Sequence, residues 1–198
     1  MAAKWKARWL TAGLVLGIGA LACADPTATT APDGTAALSE FLRRVPLDAG
    51  ARIVGMTGFD AGPRPSSWLI LVEDVSAEGG YREWAFDGTT VLAQRSLSPL
   101  PGQEFPALPI EPDRLRVSSD EACRIAMEQA RSRGGAVRSA HIQLRIREEG
   151  NEPVWMLKLL GPGRSEAGTI YVSAQSGTIL RQSWTKGRGS ERDKVSAR

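Results

Sequence analysis

Two side chains in this sequence could make a nucleophile and its base: Cys123 and His141, the latter being the single histidine among 198 residues. A thiol beside an imidazole can be ionised and used for acyl transfer. The surroundings argue otherwise. Cys123 falls on or beside the apolar side of a predicted helix, with Ala122, Ile125 and Ala126, where a free cysteine acts as a small apolar residue. His141 falls on the polar side of an alternating strand. A metal centre needs several His, Cys or carboxylate ligands together, and one histidine with one body cysteine does not supply a usual set. Glu148, Glu149 and Glu152 cluster at a predicted turn and read as solvated loop charges. Gly161-Pro162-Gly163 is a chain breaker and not a phosphate-cradling loop. The reading is of a protein without catalytic residues, metal or cofactor.

Aromatic side chains offer a different chemistry, that of binding. Trp68 and Trp155 each open an apolar strand and suit a core. In Tyr81-Arg82-Glu83-Trp84-Ala85-Phe86, strand alternation places Trp84 and Phe86 with Arg82 on one face and Tyr81 with Glu83 on the other. Either Trp84 and Phe86 both pack beneath a helix, or an exposed aromatic here forms a recognition surface. The binding candidates are Tyr81, Trp84, Phe86, Trp155 and Tyr171.

The elements that would position them are short. Leu38, Phe41, Leu42 and Val45 follow helical spacing, and Pro46 stops that helix. Strand-like runs follow at 52–59, 68–75, 81–86 and 90–95, with Asp87-Gly88 as a tight-turn signal. Residues 97–114 hold Pro99, Pro101, Pro106, Pro109 and Pro112, too many for a helix or central strand, and read as an extended linker. Ser118 and Glu121 have capping-box spacing at the head of a helix running to about Ser132, closed by Gly134-Gly135. Ala140, Ile142, Leu144 and Ile146 then alternate with His141, Gln143, Arg145 and Arg147, as in a strand with one buried face. Further strands fall at 154–160, 169–174 and 179–182.

Gly80–Arg95 aligns without a gap over Gly168–Ser183, with Val91-Leu92 on Ile179-Leu180. Trp68 and Trp155 stand at nearly the same offset upstream. The fold class read from this order is α+β, with two tandem helix-on-antiparallel-sheet units behind a signal peptide. The expected boundaries are a leader at 1–24, a flexible tether at 25–35, a first unit at 36–96 and the linker at 97–114. A second unit at 115–184 and a basic, disordered tail at 185–198 complete the chain.

The leader has the charged, apolar and small-residue regions of a secretory signal: Lys4, Lys6 and Arg8, then residues 9–22, with cleavage motifs ending at Ala22 and at Ala24. That apolar run is shorter than the roughly 18–20 residues a spanning helix needs. Ala20-Leu21-Ala22-Cys23 also resembles a bacterial lipobox, in which Cys23 carries the lipid. Each alternative puts the body outside the cytoplasm, periplasmic or secreted. Membrane contact is expected only through lipidation at Cys23 or an uncleaved leader. Three of the 25 basic residues lie in the leader, leaving 22 against 22 acidic ones. That balance gives no electrostatic case for nucleic acid. With a single body cysteine, a disulfide framework is excluded, and stability must come from an apolar core.

The second unit resembles a PepSY-type domain. The matching residues are Asp120-Glu121-Ala122 with Ile125-Ala126, then Val154-Trp155, then the run from Ile170 to Leu180, with Ser173 where that family usually has Asp. The resemblance covers about residues 115–183 and implies a helix-and-strands fold without a catalytic signature. It also implies a role as an inhibitory or binding module outside the cytoplasm, of the kind found beside metallopeptidases. A tandem pair of such units is also similar in layout to secreted β-lactamase inhibitory proteins. The expected function is non-catalytic recognition or inhibition of another extracytoplasmic protein, such as a peptidase. The alternative is a small-ligand or lipid carrier with a pocket between helix and sheet.

Overall fold

The computed structural model describes residues 31–61, 64–102, 105–106 and 108–185. The leader, Cys23, most of the expected tether and the basic tail from Lys186 lie outside the described residues. The first half supplies α1 (Gly34–Arg44), β1 (Arg52–Ala61), β2 (Trp68–Glu73), β3 (Tyr81–Phe86) and β4 (Val91–Leu97). The second supplies α2 (Ser119–Ser132), β5 (Ser139–Arg147), β6 (Glu152–Leu160), β7 (Glu166–Ser173) and β8 (Ile179–Trp184).

These strands do not form two units. They form one antiparallel sheet in the order β4-β3-β2-β1-β5-β6-β7-β8, with both helices on one face. The expectation of tandem units, each with its own sheet, is therefore corrected. The strands that would have been unit edges, β1 and β5, pair with each other at the centre, matching Met56 to Leu144, Thr57 to Gln143 and Gly58 to Ile142. The reason is one of size. Units of about 75 residues bury too small a fraction of their surface to be comfortable alone, and pairing the two edges merges their apolar faces.

The merged core runs from Phe41 and Phe86 at one side to Ile170 and Val172 at the other. At its centre the rings of Trp68 and Trp155 lie 6.4 Å apart, both without exposed area. A buried indole N–H needs an acceptor. Trp68 donates to the carbonyl of Pro32 at 2.9 Å and Trp155 to that of Val117 at 2.8 Å, each immediately before a helix cap. The caps are Asp33, which accepts from the amides of Thr35 and Ala36, and Ser118, which accepts from that of Glu121. The Ser118 side chain thus fills the role that its spacing predicts. The start of α1 lies earlier than its apolar periodicity indicates, because Asp33 caps it and Gly34 and Thr35 belong to its first turn.

The described residues of the proline-rich stretch do not link two units: they include a 3-10 turn at Pro112–Arg114 and are docked on the single sheet. Phe105 packs edge-on to Tyr81 at 4.7 Å, Pro106 lies over Gly55, and the Ile110 amide donates to Ile53 at 2.7 Å.

The two helix starts meet over the tryptophans, where the Gly34 amide donates to Ser119 Oγ at 2.7 Å. A Cβ on Gly34 would sit 2.7 Å from Trp155 Cη2 and 3.2 Å from Trp68 Cη2. Overpacking of this kind costs about 1–3 kcal/mol. Gly34→Ala is expected to lose stability by that amount in urea unfolding followed by tryptophan fluorescence. An unchanged midpoint would mean that the indoles yield and the junction is not close-packed.

Candidate functional site

Alternation along each strand divides the sheet into a face under the helices and an open face. Arg82, Trp84 and Phe86 share the helix side with Val72, Ile70 and Trp68, their respective partners on β2. Tyr81 and Tyr171 lie on the open face, Tyr171 beside Met156 and Arg181 and Tyr81 beneath Phe105. The five binding candidates therefore do not converge. Trp155 and Phe86 have no exposed area and are core, so neither presents a surface to a partner. Trp84 is half-buried, edge-on to Phe41 at 5.8 Å, with the Arg82 guanidinium 5.9 Å from its ring centre. Arg82 in turn holds the buried carboxylate of Asp74 at 3.0 Å. The Ser76 hydroxyl, more than Arg82, keeps Asp74 below the usual carboxylate range.

Cys123 and His141 are on opposite sides of the sheet: the thiol on α2 above one face, the imidazole on β5 facing the other way. No dyad forms between them. Burial, with a smaller contribution from the Asp120 carboxylate, pushes the Cys123 thiol up to about 12. Beside it is a shallow depression of about 240 Å³, lined by Asp120, Cys123, Arg124, Met127 and Arg131. That is below the range of roughly 300–1,000 Å³ in which small-molecule pockets fall. Among the described residues no group of three His, Cys, Asp or Glu is arranged to hold a metal ion, and no helix is long and apolar enough to cross a membrane.

What alternation could not reveal is the difference between the two ends of the sheet. At the β8 end, α2 closes over the strand. Gln129 Nε2 donates to Gln182 Oε1 at 3.0 Å, the Arg133 guanidinium lies 5.2 Å from the Trp184 ring centre, and Ile179 and Trp184 pack against the core. At the β4 end, the ring of Phe41 from α1 meets Trp84 and Phe86 on β3, one strand short of the edge. Every residue of β4 from Val91 to Ser96 is exposed, and none of its residues belongs to the core or packs against it. Leu92 is 58% exposed at a bulge in the β3–β4 pairing, next to Val91. Arg95, the one charge on β4, is held by Glu83 at 2.7 Å on the open face. Among the described residues nothing pairs with the outer edge of β4 or covers its apolar strip, and this edge is the candidate site.

No family model matches the chain, and no curated protein matches it. Among solved structures it is similar to a candidate lipoprotein from Clostridium difficile 630, with a TM-score of 0.44 and 16% identity over 69% of this chain and 84% of that one. The residues that carry the PepSY resemblance fall on α2, β6, β7 and the start of β8.

Cysteine reactivity follows the thiolate, and a thiol at about 12 is ionised to roughly one part in ten thousand at pH 8. In a Cys23→Ser chain, native Cys123 is expected to resist Ellman's reagent over an hour at pH 8 and to react fully in guanidinium. Prompt reaction of the native protein would overturn the buried, inert assignment.

Proposed function

We propose that this protein is an exported, non-catalytic binding module that engages another extracytoplasmic protein, such as a peptidase, by strand addition at β4. The observation that carries the reading is that β4 is a fully formed strand lending nothing to the core. An unpaired edge is a row of backbone donors and acceptors ready for another chain, and folded proteins ordinarily cover or guard it. Here the edge holds no lysine or proline, and its single arginine is neutralised by Glu83. A partner strand laid along β4 would find main-chain hydrogen bonds for affinity and Val91 and Leu92 for selectivity, as in other β-augmentation complexes. The signal-like leader and the PepSY-like residues support export and a binding role. A lipid on Cys23 would add a tether to the envelope.

The test compares the mature chain with Leu92→Lys, which places a charge at the edge, and with Ser183→Lys on β8 as the control. Each is exposed to envelope extract, and captured proteins are identified by mass spectrometry. Backbone protection at 91–97 is then read by hydrogen exchange with the purified partner. The expected result is one saturable partner that protects β4, is weakened at least tenfold by Leu92→Lys and is unaffected by Ser183→Lys. Equal capture by both variants would remove β4 as the site. A lipid or metabolite co-purifying at about one per chain, without a protein partner, would replace the binding module with a carrier.

A further inference from the structure

His141 is tied to a residue 81 positions away in a manner that only its neutral form permits. The amide of Asp60 donates to His141 Nδ1 at 3.1 Å. Asp60 sits where the β1–β5 register slips between Gly58 and Ala61, and its φ of +51° is in the left-handed region that non-glycine residues seldom occupy. Its carboxylate is engaged by Arg164, on the turn between β6 and β7, another left-handed residue with φ +62°. Phe59, half-exposed, rests edge-on against the imidazole at 5.2 Å. Lys158 stands opposite His141 on β6 and is paired with Glu166 of β7 at 2.7 Å. The charged groups around the ring are thus Asp60, Lys158 and Arg164, with Glu166 behind Lys158.

We infer that Asp60 and His141 form an acid-operated latch, closed when the imidazole is neutral and opened by its protonation, that ties the end of β1 to β5. Protonation turns Nδ1 from acceptor into donor, leaving it facing the Asp60 amide, another donor. Asp60 Oδ1 lies 3.9 Å from Nδ1, beyond hydrogen-bond reach, while Arg164 engages the other oxygen of the same carboxylate, Oδ2. For the imidazolium to bond that oxygen Asp60 must turn, which surrenders the amide bond, moves the carboxylate that Arg164 holds by Oδ2 and shifts Phe59 beside it. There are two arrangements of the same residues, and one proton selects between them.

The direction of the titration agrees with this geometry. Burial, and to a lesser degree Lys158 and Arg164, outweigh the opposing Asp60 carboxylate and hold His141 below its ordinary 6.5. The unfolded chain therefore binds the proton more readily than the folded one. Stability is undisturbed above about pH 6.5 and falls as the pH drops below it, levelling off once the folded imidazole has itself charged.

Because the chain has one histidine, its side-chain nitrogens can be followed by NMR in the full chain without assignment ambiguity. The latch requires the tautomer protonated at Nε2, a midpoint below 6.5, and an Asp60 amide whose shift and exchange rate move with that same midpoint. Asp60→Asn tolerates the left-handed backbone but removes the anion, so the His141 midpoint should drop further. Arg164→Gln removes a cation and should raise it. A proton on Nδ1 at neutral pH, a midpoint at or above 6.5, or an Asp60 amide indifferent to the titration would each overturn the latch.

Discussion

Burying two indoles at the centre of one core creates a demand that the rest of the chain is arranged to meet. Each N–H must find an acceptor or cost a hydrogen bond's worth of desolvation. Both find one at the residue before a helix cap, Pro32 for Trp68 and Val117 for Trp155. The sheet thereby grips each helix by its start. The helix starts carry unsatisfied amides of their own, and the buried one on Gly34 is met by Ser119 from the other helix. Three donors from distant parts of the sequence, two indole N–H groups and one amide, are thus satisfied at one place. The ring contact also bridges the β1–β5 seam, which is why two apolar faces behave as a single core. Removing either ring would leave a large cavity and, on the scale of buried aromatics, cost about 3–5 kcal/mol.

Fixing both helices at their starts makes their lengths matter at their ends. Starting above Trp155, α2 reaches β8 through Gln129 and Arg133. Starting beside Trp68, α1 has placed Phe41 only over β3 when it ends at Arg44. Pro46, two residues beyond Arg44, makes that stop firm, and among the described residues no side chain of α1 reaches β4.

Much of this was legible in the sequence, and the failures share a cause. Local signals held: the Ser118 cap, the alternation on β5 with Ile142 and Leu144 inward, the Asp87-Gly88 turn, and the common face of Trp84 and Phe86. Residues whose partners are distant in sequence are the ones that local pattern does not place. Alternation says which face of a strand is buried but not which strand lies beside it, so the β1–β5 pairing was invisible and one sheet read as two. Trp155 read both as core and as a binding candidate because its environment depends on Val117, Gly34 and Trp68, none of them near in sequence. His141 was correctly set on the polar face, yet its partner Asp60 is 81 residues away. The exposure of β4 is illegible in the sequence for the opposite reason: its Val91 and Leu92 match the half-buried Ile179 and Leu180, but among the described residues no helix comes over them.

An edge strand without core contacts would ordinarily fray, and β4 is held by a device that leads back to the centre. The turn before it is fixed by Asp87, whose Oδ1 accepts from the amides of Thr89 at 2.8 Å and Thr90 at 2.7 Å. Those two backbone bonds also hold the Asp87 carboxyl below its usual range, so the turn keeps its full stabilisation at neutral pH and loses it only in strong acid. Gly88, with φ +100°, lies flat against Pro32, where a Cβ would sit 2.1 Å from Pro32 Cδ. Pro32 is the residue whose carbonyl receives the Trp68 indole. The hairpin that displays β4 therefore rests on the same support that anchors α1. An edge held this way would lose little conformational freedom in the strand addition proposed above, and preorganisation of that kind lowers the ordering cost of binding.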